Sequence, residues 1–272
     1  MRWDRSHESS NVEDRRGEAG PGIGMGGLGL LLPLFGRFGW RGILVLLALF
    51  LVWRYVDCPG GGSSQFGNMP AESSASEDEL VRFVGFVFDD AQATLGQQVE
   101  RAGRDYRPAK LVVYRSAVST GCGTASSAVG PFYCPRDFRV YIDLSFYREL
   151  RDRFGAPGDF AQAYVIGHEL GHHVQNLVGD LESRSNRDSV AVELQADCLS
   201  GVWAKDAERR QLLETGDLSE AIGAASAVGD DRIQRQTTGD IRPETWTHGS
   251  AEQRAAAFQR GYRGGELRAC GL

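Results

Sequence analysis

The sequence predicts a mostly helical α+β domain with a small sheet. Apolar residues recur at helical spacing over the long segment Glu79 to Arg101 and again in the later segments. Only two short runs read as strands, Lys110–Arg115 (KLVVYR) and Phe138–Asp143 (FRVYID). The composition, 42% hydrophobic and 24% charged over 272 residues, suits one packed core with appendages.

Taken in chain order, residues 1–20 are polar and mixed in charge and predict a disordered lead; residues 21–36 are Gly-rich and apolar, so 1–37 is read as one N-terminal segment outside the domain. Gly42 to Trp53 (GILVLLALFLVW) carries no charge, and its flanks extend it to 38–56. Arg41 and Arg54 can snorkel, and Trp40, Trp53 and Tyr55 suit a membrane interface. A single transmembrane helix is expected there. A cleaved signal would need a small-residue site that RYVDCPGG does not offer. Arginines cluster before the span at positions 2, 5, 15, 16, 37 and 41. This bias predicts a cytoplasmic N-terminus and an extracytoplasmic domain. Residues 57–76, rich in Gly, Ser and Pro, read as a linker, which leaves 77–272 as the folded domain.

Within that domain, Leu80, Phe83, Val84, Val87, Phe88, Ala91, Leu95 and Val99 form one helical stripe. Ser116 to Pro135 reads as a loop holding Cys122 and Cys134, a plausible disulfide in an oxidising compartment. Cys58, Cys198 and Cys270 leave an odd count, and Cys198 reads as core. The strand at 138–143 offers an edge for an extended peptide. Leu144–Phe154 is a helix. Asp159 opens the next one, which ends at Gly179, and Asp188 opens another that runs to about Lys205. Asp217 with Glu220, and Ser250 with Gln253, have capping-box spacing.

The net charge of −6 (Lys+Arg 30, Asp+Glu 36), with no basic cluster, argues against nucleic acid as a partner. The anomaly is histidine: of five in the chain, three fall in His168-Glu169-Leu170-Gly171-His172-His173. On a helix, residues i and i+4 share a face. His168 and His172 can therefore offer one nitrogen each to a single Zn²⁺, at about 2.0–2.1 Å. A bound Zn²⁺ lowers the pKa of a water toward ~7, and Glu169 is placed to take its proton as general base. The uncharged neighbours Val165, Ile166, Gly167, Leu170 and Val174 suit a buried helix facing a metal.

A third ligand must come from elsewhere. Gln175 and Val178 stand where a metzincin extension needs Gly and His. Glu182, Glu193, Glu208, Glu214 and Glu220 remain as candidates, and Glu193 stands out because it sits among Val190, Ala191, Val192, Leu194 and Ala196. An unpaired carboxylate there would be costly. Asp197, four residues on, can accept the other ring N–H of a ligand histidine. His173 points about 100° away from His172 and reads as structural. His248 is a candidate donor to a developing oxyanion, or simply a residue beside the Ser250 cap. Asp230-Asp231 reads equally as support for the site or as a cap.

Five stretches, GPFYCPRDFRVYIDLSF, GDFAQAYVIGHELGHHVQN, SVAVELQADCLSGVWA, GDD and THGSAEQR, resemble the neutral zinc metallopeptidase family of bacteria, whose members carry a similar N-terminal membrane segment. The likeness extends to MRWDR and NVEDRRG at the start of the chain. It implies a zincin-like, gluzincin-type peptidase domain with zinc as cofactor and a protein or peptide as substrate. His168, His172 and Glu193 would be its ligands and Glu169 its base. Gly167 departs from the family pattern, where Ala is common. Two other classes are a non-catalytic, zinc-stabilised, membrane-tethered binding module and a zinc amidase acting on cell-wall peptides. A purely structural zinc site has no use for Glu169 and closes with four protein ligands.

Overall fold

The computed structural model describes residues 1–18, 71–179, 181 and 185–272. Helix α1 (Ala71–Arg101) presents Val84, Val87, Phe88, Ala91, Leu95 and Val99 to the core, all fully buried. Each large member of such a stripe contributes about 1.5–3 kcal/mol through burial. A four-stranded sheet packs beside this core. Its strands are β1 (Val12–Asp14), β2 (Lys110–Tyr114), β5 (Phe132–Cys134) and β6 (Arg139–Asp143), in the order β1-β2-β6-β5. β1, β2 and β6 run parallel, and β5 is antiparallel to β6. A separate hairpin, β3 (Ala117–Thr120) and β4 (Gly123–Ser126), pairs antiparallel.

Both faces of the central strands are covered. Leu111, Val113, Val140 and Ile142 join the main core, whereas Val112, Tyr114 and Tyr141 pack with Val118 and Cys134 in a second cluster. Doubly buried strands of this kind read as continuous apolar runs. The edge strand expected at 138–143 is therefore a central one, and the edges of the sheet are β1 and β5. The expected loop 116–135 is partly ordered as β3, β4 and β5, with Cys122 and Cys134 joined by a disulfide.

The helices that follow are α2 (Ser145–Asp152), α3 (Asp159–Val178), α4 (Asn186–Arg209), α5 (Asp217–Ala227), α6 (Asp230–Thr237) and α7 (Ala251–Gly264). Gly179 ends α3 in the left-handed region with φ 83°. The Ser250–Gln253 capping box opens α7. Other caps differ from expectation. Gly158, not Asp159, precedes α3. Ser185, not Asp188, caps α4, its side chain accepting from the Asp188 N–H. Asp217 and Glu220 form no box; Glu220 instead accepts from the Phe160 N–H at the start of α3, 3.0 Å away. The sequence could not show this, because that donor lies on another helix.

Cys198, read as core, is bonded to Cys270. Residues 1–18 also depart from the disordered segment expected there. β1 pairs with β2, Met1 is buried and Trp3 packs edge-on against Phe83. The polar composition misled because its charges are paired: Arg139 bonds Glu13, and Arg16 bonds Asp14 and Asp78. The folded domain therefore includes the start of the chain as well as its C-terminal part. The expected membrane span 38–56 and most of the linker lie outside the described residues. Among the described residues no helix is long and apolar enough to cross a membrane.

Candidate metal centre

Helix α3 carries His168 and His172 on one face, and α4 crosses it with Glu193 and Asp197 on the facing side. Small residues permit the approach. A Cβ at Gly171 would lie 2.9 Å from the Ala196 backbone, and one at Gly167 would lie 2.6 Å from Ser200 Oγ and 3.0 Å from Trp203. The two glycines of the GHELGHH run are thus where α4 seats against α3.

This packing brings three donors to one point. His168 Nε2 lies 3.2 Å from Glu193 Oε2, and His172 Nε2 lies 3.5 Å from Glu193 Oε1. Ligand atoms of the three residues all fall within 4.8 Å of one another. A tetrahedron with bonds of about 2.0–2.1 Å has edges of about 3.3–3.4 Å, so the spacing fits zinc. The other ring nitrogens are already engaged. His168 Nδ1 meets Asp197 Oδ1 at 2.8 Å, and His172 Nδ1 meets Gln175 Oε1 at 2.8 Å. Both acceptors require a proton on Nδ1, which turns each Nε2 toward the carboxylate. Two ring nitrogens and a carboxylate so arranged call for a cation between them, a proton or a metal ion.

The electrostatics follow from burial and neighbours. Burial alone would depress His168, but the Asp197 and Glu193 carboxylates outweigh it and raise its pKa to about 10. Burial would raise Glu193, yet His172 and His168 hold it well below the usual carboxylate range. Glu169 is raised, chiefly by burial. It lines the same cleft as His168, His172 and Glu193, which has a volume of about 610 Å³. Tyr133 and the segment leading into β5 form another wall of that cleft.

Asp197 is fully buried and heavily bonded. Arg254 on α7 grips it through Nε (2.8 Å) and Nη2 (2.9 Å), and the Tyr164 hydroxyl also donates to it. Burial would raise Asp197, but Arg254 and His168 pull it down to about 2. Sequence reasoning missed Tyr164, Gln175 and Arg254. Signals existed: Tyr164 sits four residues before His168, Gln175 sits three after His172, and Arg254 shares a buried face with Ala257, Phe258 and Gly261. A charge on an apolar face demands a partner.

The remaining candidates fall elsewhere. Glu182 lies outside the described residues. Glu208 pairs with Lys205, and Glu214 lies near the Met1 ammonium. Glu220 joins Asp159 and Asp217 in a second acidic group. That group already holds a cation, because the Met1 ammonium lies 2.6 Å from Asp159 and 3.4 Å from Asp217. His173 is fully buried, with Nε2 2.7 Å from the Arg107 carbonyl and Nδ1 3.0 Å from the Tyr133 hydroxyl. Burial pushes its pKa down to about 4.

His248 lines the cleft with half its side chain exposed. Asp230 fixes its loop, accepting from the N–H groups of Thr247, His248 and Gly249, and lies 3.2 Å from His248 Nδ1. Asp231 accepts from the Ala251 N–H at the start of α7. The adjacent pair thus divides its work, one acid supporting His248 and the other capping a helix.

The family described as "Putative neutral zinc metallopeptidase" matches residues 1–272. Among curated proteins, the chain is 45% identical to the uncharacterized protein YpfJ of Escherichia coli (strain K12), over 99% of this chain and 98% of that protein. It is 47% identical to the uncharacterized protein Rv2575 of Mycobacterium tuberculosis (strain ATCC 25618 / H37Rv), over 61% of this chain and 62% of that one. No solved structure matches it.

Proposed function

The chain belongs to the neutral zinc metallopeptidase family, and from that premise we propose that it is a zinc-dependent peptidase with Glu169 as general base. The observation that carries this reading is the convergence of His168, His172 and Glu193, with the buried carboxylate of Glu169 lining the same cleft. Zinc held by those three residues would supply Lewis acidity and lower the pKa of a water toward about 7. Glu169 takes a proton from the attacking water and passes it to the leaving amine nitrogen. Asp197 and Gln175 keep each ligand ring in the tautomer whose Nε2 lone pair faces the site. His248, supported by Asp230, offers Nε2 to the carbonyl oxygen as it gains charge.

The substrate is a protein or peptide bound in extended form. The β5 edge and residues 128–131 line the cleft, which supports strand addition along β5 rather than along the central β6. Two disulfides, Cys122–Cys134 and Cys198–Cys270, support work in an oxidising compartment outside the cytoplasm. The apolar stretch within 38–56 supports attachment to the membrane.

Glu169→Gln tests the reading. Zinc content of the purified protein should be unchanged, while hydrolysis of casein or of a peptide library should fall by about 10²–10⁴-fold. Full hydrolysis by this variant would overturn the mechanism. A purified protein without zinc and without hydrolysis would overturn the function.

A further inference from the structure

Residues 1–18 are part of the folded unit, and the contacts that hold them are of several kinds. Val12, Glu13 and Asp14 pair with Leu111, Val112 and Val113. The ladder continues at both ends, where the Leu111 N–H donates to the Asn11 carbonyl (2.9 Å) and the Arg15 N–H to the Val113 carbonyl (2.7 Å). Upstream, the Arg2 N–H donates to the Leu212 carbonyl at 2.7 Å, and Asp89 of α1 lies 2.8 Å from both His7 Nε2 and Asn11 Nδ2. Gly85 on α1 leaves room for this segment; a Cβ there would lie 3.1 Å from Ser9 and 3.2 Å from Val12.

The chain leaves the unit close to where it returns. Arg16 reaches Asp78 at 2.6 Å and Glu77 at 3.5 Å, and both acids stand near the start of α1. Arg115, just past β2, also bonds Glu77. The described segments on either side of residues 19–70 are therefore joined in one ion-pair cluster. By sequence, residues 19–70 hold two apolar runs, 21–36 and 42–53, on either side of Arg37 and Arg41.

A single membrane crossing within residues 19–70 would put β1 on one side of the bilayer and β2 on the other. The parallel ladder, the Trp3–Phe83 contact and the Arg16 cluster could not then exist together. We infer that residues 1–18 lie on the same side of the membrane as the peptidase unit, so that the chain between them does not make a single crossing. The orientation drawn from arginine counts, with the N-terminus cytoplasmic and the domain outside, gives way to this one. The counting rule assumes that flanking segments are independent of each other, and here they share a sheet. The inference does not rest on peptidase activity.

The test uses the full chain, expressed in bacterial cells with Cys58→Ser as background. One variant carries Ser10→Cys and another Ser219→Cys, both at exposed positions. Spheroplasts are treated with a membrane-impermeant maleimide before and after lysis. The two sites should label alike: both before lysis if they face outward, or both only afterwards if they face inward. Labelling of one site before lysis and of the other only after it would overturn the inference. The exposed pair Glu8→Cys and Thr215→Cys repeats the comparison, so that a local effect at one cysteine cannot decide it.

Discussion

His172 and His173 are neighbours on one helix with opposite chemistry. His172 has its Nδ1 bonded to Gln175, and its Nε2 faces the Glu193 carboxylate. His173 has both nitrogens occupied, one donating to the Arg107 carbonyl and the other accepting from Tyr133. Burial depresses both imidazoles. Carboxylates overcome it at His172 and raise its pKa, whereas at His173 nothing does and the ring stays neutral down to about pH 4. What makes a histidine a ligand is thus an open lone pair and a facing anion. Sequence neighbourhood does not separate the two residues.

Alanine substitutions should widen this contrast most. His172→Ala should lose stoichiometric zinc, measured on the purified protein, and lose hydrolysis by on the order of 10³-fold. His173→Ala should keep its zinc but lose about 2–4 kcal/mol of stability in urea unfolding, because it leaves a cavity and strands buried partners. Zinc loss in the second variant and retention in the first would invert the assignment.

Arg254→Met probes the support behind His168. It leaves the Asp197 charge buried with fewer partners, a change that costs about 3–5 kcal/mol. Zinc affinity, read by chelator competition, should fall about 10–100-fold as His168 loses its fixed tautomer. Unchanged affinity in a destabilised protein would restrict Arg254 to holding helices together.

The smallest effect concerns pH. The folded pKa of His173, about 4, lies below its ordinary value of 6.5. Its contribution is therefore complete above pH 6.5 and is lost as pH falls toward 4, by up to about 3 kcal/mol. His173→Gln should flatten the decline in unfolding free energy over that window. A decline as steep as in the parent would mean that other groups cause it.

The helical character of the domain and the histidine pair were legible because both depend on short-range spacing, and Glu193 was legible only as an acid in an apolar stretch. The α1 stripe, the histidine pair one turn apart and the Ser250 box all repeat at helical intervals. What was hidden depends on long-range partners. Cys198 looks like core until Cys270 folds back beside it, and Glu220 looks like its own helix's cap until Phe160 arrives. Arg16 looks like solvated charge until Asp78 stands next to it. The β5 edge was missed because KLVVY and FRVYID give no hint of which strand lies between two others.

The Cys198–Cys270 bond closes on the residue next to Asp197, on the same helix as Glu193. A helix bolted at that residue cannot creep along its axis without breaking a covalent link. The position of Glu193 beside the imidazole pair is therefore indexed to Cys270, and reducing that bond would remove the index.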